Sequence, residues 1–147
     1  MGAVLVAVLS AALAAGADPA VDLGTVDQKP PRKDQLVAPK TDHGVVKVGF
    51  HETMKGKAAK GEKRNVYVAV TPLSNPDLVG TWWVQQEVTK DGGAFAAEAQ
   101  FGEEDAGSGE YFAVLGAATD KTWAVGEQLK SLPEGATCTR LKIVKRR

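Results

Sequence analysis

From Val45 onward the chain carries short runs of alternating apolar and polar positions, separated by turn-forming residues. Val46, Val48 and Phe50 interleave with Val45, Lys47 and Gly49, which predicts a first strand. A Lys- and Gly-rich loop is expected from Lys55 to Arg64. Val66, Val68 and Val70 interleave with Tyr67, Ala69 and Thr71 in a second strand. Pro72 closes it, because proline brings no amide hydrogen to a ladder. Thr81 to Val88 reads as a third strand, and Asp91-Gly92-Gly93 divides it from Ala94 to Phe101. Asp-Gly between two alternating runs predicts a hairpin joining those two strands. Phe95, Ala97, Ala99 and Phe101 then share one face of the returning strand.

Gly102 to Glu110 is an acidic, Gly-rich loop, and Tyr111 to Ala118 is an unbroken apolar run. Such a run suits a central strand covered on both faces. Val125, Leu129 and Leu132 recur at helical spacing and stop at Pro133, which predicts one short helix or turn near residues 125–132. Arg140 to Lys145 is the last strand. No long helical pattern is present to make crossovers between parallel strands. The pattern therefore predicts an all-β fold, a β-sandwich of about seven strands.

The segments NVYVAVTPL, TWWVQQEVTKDGGAF, GEYFAVLGAATD, VGEQLKSLPEG and LKIVKR together resemble an immunoglobulin-like β-sandwich module of bacterial extracytoplasmic proteins. The resemblance runs from Val45 to Arg146. Its most particular features are Trp83-Val84-Gln85 and the turn Gly126-x-x-Leu129-x-x-Leu132-Pro133. It implies a fold and a location outside the cytoplasm, and it brings no catalytic residues with it.

The N-terminus points the same way. Ala3 to Ala17 is apolar apart from Ser10 and Gly16, and it ends in Ala15-Gly16-Ala17 before Asp18-Pro19. That is the core and cleavage site of a secretory signal peptide at residues 1–17. No Lys or Arg precedes the run, and it falls short of the roughly 20 apolar residues of a membrane-spanning helix. Cleavage after Ala17 is expected, with retention as an anchor the alternative. Residues 18–44 contain Pro19, Pro30, Pro31 and Pro39 and no apolar periodicity. They read as a Pro-rich disordered tether leading to a domain at 45–147. The expected location is secreted, periplasmic or cell-surface.

Charge narrows the partners. Lys+Arg and Asp+Glu both number 18, and this zero balance argues against nucleic acid. The distribution is uneven, with bases dominating from Lys29 to Arg64 and acids from Asp77 to Asp120. Cys138 is the only cysteine, so no intramolecular disulfide can form, and a small buried thiol is expected.

Among candidate sites, Trp82 and Trp83 are adjacent on a strand and must face opposite sides. Trp82 aligns with Val84 and Val88 and is the expected core anchor. Trp83 aligns with Gln85 and Glu87, which predicts an outward aromatic platform with polar neighbours for a ligand. Glu103, Glu104 and Asp105 form a weak calcium candidate, since calcium prefers oxygen ligands but the loop lacks the EF-hand spacing. His51-Glu52 begins like a zinc-protease motif, but Lys55 stands where the second His belongs. His43 and His51 are therefore read as surface residues. Gly56 to Lys63 fails as a phosphate loop because Glu62 replaces its lysine. Ser74, Ser108, Ser131 and Cys138 lie in no nucleophile motif. The reading is a non-catalytic binding or interaction module without a cofactor. Its ligand would be a glycan, a cell-wall component or a protein partner, and membrane contact would come only through an uncleaved N-terminal segment. A structural subunit assembling through a sheet edge and a small cell-wall hydrolase are the alternatives.

Overall fold

The computed structural model describes residues 21–87 and 93–147, which form two β-sheets packed face to face. The expected signal segment at 1–17, the first residues of the expected tether and the expected turn at Asp91-Gly92 lie outside the described residues. In chain order the strands are β1 (Val21–Val26), β2 (Val46–Val48), β3 (His51–Ala58), β4 (Asn65–Pro72) and β5 (Trp82–Glu87). Then come β6 (Ala94–Gln100), β7 (Tyr111–Thr119), β8 (Gln128–Leu129), β9 (Thr137–Cys138) and β10 (Lys142–Arg146). Only β2, β8 and β9 are shorter than five residues, which leaves the seven substantial strands of the all-β sandwich that the pattern predicts. The turn expected near 125–132 is a turn at Val125-Gly126 followed by β8. No helix among the described residues is long and apolar enough to cross a membrane.

The larger sheet runs in the order β2-β10-β7-β4-β5-β8, with β9 also paired to β7. The smaller runs β1-β3-β6. Two pairings are parallel, β1 with β3 and β2 with β10. The central pair β4 and β7 is buried on both faces, as expected of the unbroken apolar run in β7. Val66, Val68 and Val70 of β4 and Phe112, Val114 and Ala118 of β7 face the smaller sheet, where Met54, Phe95, Ala97 and Ala99 meet them. Tyr67 and Ala69 of β4 and Ala113, Leu115 and Ala117 of β7 face the other way. There Leu36 and Trp123 from loops, and Cys138 from β9, pack into the same cluster.

Three expectations need correction. Residues 21–44 are no free tether. Val21, Leu23 and Val26 of β1 are at most 4% exposed within the inter-sheet core. Gln28 exchanges backbone hydrogen bonds with Cys138, at 2.9 and 2.6 Å. Asp42 accepts hydrogen bonds from the Tyr111 hydroxyl and from Lys145 Nζ, the latter at 2.9 Å. The segment's short apolar set is too sparse to read by periodicity, yet it completes a sheet when β3 pairs with it.

The loop expected from Lys55 is strand as far as Ala58. Met54, Gly56 and Ala58 point inward and alternate with exposed Lys55 and Lys57. Small inward residues hide the alternation because the space they leave is filled from elsewhere. The tip of the Phe95 ring lies where a methyl group on Gly56 would be, at 2.5 Å.

The hairpin expected between β5 and β6 does not form. β5 pairs with β4 and β8, whereas β6 pairs with β3 in the opposite sheet. The two strands therefore belong to opposite sheets. Local turn chemistry cannot decide which sheet a strand joins, because the choice lies with long-range partners.

Candidate functional site

A bulge in β5 decides where the expected site residues go. Val68 pairs with Gln86 and Ala69 with Val84, so Gln85 is the extra residue. One inserted residue resets the alternation on either side of it. Trp83 is opposite Val70, on the face turned toward the smaller sheet, and Glu87 is opposite Tyr67, on the other face. Trp83 is thus half-buried between the sheets at their edge, and exposed Glu87 lies away from it. Trp82 is the core anchor expected, 3% exposed in the loop-covered cluster.

The bulge also turns two amide side chains toward β6. Gln85 Oε1 accepts from the Gln100 amide at 2.7 Å, and Gln86 Oε1 accepts from the Glu98 amide at 3.0 Å. Gln85 Nε2 donates to the Trp83 carbonyl at 3.2 Å. Two outward amides of an edge strand are satisfied in this way without main-chain pairing. Gln85 consequently fastens the two sheets together as well as lining the space beside Trp83.

That space is a cleft of about 540 Å3 at one end of the sandwich. Trp83, Val70 and Phe112, from three neighbouring strands of the larger sheet, form its apolar wall. Gln100, Glu103 and Glu110, from the end of β6 and the acidic loop, add polar residues to its lining. Asn75, Leu78 and Val125 complete the rim. Leu78 and Val125 are 37% and 70% exposed, two of the four large hydrophobic residues left open among those described. Apolar surface therefore collects at the mouth of this cleft. No Lys, Arg or His lines it among the described residues.

The acidic loop owes its shape to Arg146. The guanidinium donates through Nη1 to the carbonyls of Phe101 and Glu103, both at 2.7 Å, and of Ala106 at 3.1 Å. Through Nη2 it donates to the Glu104 carbonyl at 2.9 Å. It lies 5.4 Å from the centre of the Phe50 ring, and Arg146 is 8% exposed. This corrects the calcium expectation. The oxygen-lined interior of the loop holds a protein cation, while Glu103, Glu104 and Asp105 stay exposed. No group of three or more potential ligands among the described residues could hold a metal ion.

Other candidates fall outside the cleft. His51 begins strand β3, so the spacing that a helix would give His51-Glu52 and Lys55 never arises. Cys138 is buried, and burial pushes its thiol up to about 12, which leaves no thiolate at neutral pH. Sequence reasoning found Trp83 but missed Phe112, Val70, Leu78 and Glu110. These residues meet only because strand ends from both sheets converge. The one signal for them was the acidic loop itself, whose ends, Phe101 and Glu110, must lie where the two sheets are joined.

Fold and cleft together define a class, an all-β sandwich with a partly apolar, partly acidic cleft at one end. No protein-family model matches this chain, and no curated protein or solved structure matches it either.

Proposed function

We propose that the chain is an exported, non-catalytic binding module that takes a glycan or related cell-wall component in the end cleft around Trp83. The observation that carries this reading is that a half-buried indole and amide- and carboxyl-bearing residues line one cleft of about 540 Å3. A sugar ring presents an apolar face of C–H groups and a polar edge of hydroxyls, which match an aromatic ring and hydrogen-bond acceptors. The volume falls within the roughly 300–1,000 Å3 common for small-ligand sites.

Export is supported by the apolar run Ala3 to Ala17 and by the resemblance to extracytoplasmic immunoglobulin-like modules. Cleavage after Ala17 would leave β1, which begins at Val21, intact. Assembly through the edge of β6 is disfavoured by the Gln85 and Gln86 side chains that occupy its amides.

The test is intrinsic fluorescence of residues 18–147, titrated with cell-wall and polysaccharide fragments beside a Trp83→Ala variant. Trp82 and Trp123 are buried, so a ligand in the cleft reports through Trp83. A saturable change absent from the variant supports the reading, and no change across the panel overturns it. Appearance of shortened oligosaccharide during the titration would overturn its non-catalytic part.

A further inference from the structure

We infer that the cleft selects a ligand bearing protonated amines: a glycan of hexosamine units whose amino groups are free rather than acylated. This rests on the glycan reading above and adds to it the charge of the ligand. Glu103 and Glu110 line the cleft, and the lining holds no base among the described residues. The lining therefore holds two carboxyl-bearing residues and no base to offset them. The nearest guanidinium, Arg146, directs its hydrogens at four backbone carbonyls and makes no ion pair within 4 Å with either carboxylate.

The apolar part of the lining decides what accompanies the positive charge. Trp83, Val70 and Phe112 offer an apolar face to a ring, and an ammonium group near an indole gains a cation–π attraction. An amino sugar presents both features within one residue. Acylation would remove the charge and add bulk, and a uronic acid or phosphate-bearing polymer would be repelled by Glu103 and Glu110.

The experiment compares three tetrasaccharides on the folded protein, residues 18–147: a glucosamine oligomer, its fully N-acetylated counterpart and a glucose oligomer. Titrations are run at a pH that keeps the amines protonated, by calorimetry and Trp fluorescence. The expected result is affinity for the glucosamine oligomer about tenfold or more above the other two, weakened by salt. The double variant E103Q/E110Q, checked for an unchanged circular dichroism spectrum, should lose this preference while still binding the neutral oligomers. Equal affinity for all three oligomers would overturn the amine inference and leave the glycan reading standing. A preference that survives the double variant would overturn the role given to the two carboxylates. Binding of none of them, nor of any other glycan, would overturn both readings.

Discussion

The Phe95 ring covers Gly116 across the gap between the sheets so closely that a methyl group on Gly116 would lie 2.9 Å from the ring tip. The same ring tip lies 2.5 Å from where a methyl group on Gly56 would be, so the ring is held from both sheets. Gly116→Ala should therefore destabilise the fold by about 1–3 kcal/mol, as overpacking does. Phe95→Ala should cost about 3–5 kcal/mol through the cavity it leaves. Urea denaturation of both variants and of Phe95→Leu/Gly116→Ala checks the pair. The smaller side chain should absorb most of the cost of the added methyl group.

Replacing Arg146 should release the acidic loop. Arg146→Met leaves the carbonyls of Phe101, Glu103, Glu104 and Ala106 without their donor, which should lower stability by roughly 2–4 kcal/mol. Lys in its place should recover only part, because an ammonium lacks the planar fork that reaches several carbonyls at once. Added calcium should not recover it. Hydrogen exchange should quicken mainly between residues 101 and 110.

The amides of Gln85 and Gln86 keep the edge of β6 satisfied. Substituting both with Ala should cost about 1 kcal/mol for each lost hydrogen bond. It should also expose the Glu98 and Gln100 amides to another chain. Sedimentation velocity should then show concentration-dependent association that the parent protein lacks at the same concentrations.

Asp42 provides a pH test of the docked N-terminal segment. Hydrogen bonds from Lys145 and Tyr111 hold its carboxyl below its ordinary value of 3.8. A carboxylate whose pKa is lowered by folding stabilises the fold above the unfolded value and loses that contribution as pH falls through the folded one. Asp42→Asn should thus be less stable than the parent near neutrality, and the difference should shrink as pH drops below about 4. Urea midpoints measured from pH 7 down to pH 2 check the convergence.

Much of the fold was legible because it depends on short-range alternation. The inward face of β6 is Phe95, Ala97 and Ala99, as period 2 dictates, and β7 is a doubly covered centre because no polar residue interrupts it. The site was legible only in part. Strand parity separated Trp82 from Trp83 correctly, but carrying it on to Glu87 failed at the Gln85 bulge. A single inserted residue leaves no mark in composition or periodicity.

By itself the sequence determined that β4, β5, β6, β7 and β10 are strands, because the alternation or unbroken apolar run that burial of a pleated chain requires can be read there directly from the residues. Only the tertiary structure decided which strands pair. It moved β6 into the opposite sheet from β5 and drew β1 into the core. It also seated the Arg146 guanidinium inside the acidic loop and left the cleft beside Trp83. Each of these outcomes depends on partners distant in the chain, whose contacts outweigh what neighbouring residues can specify.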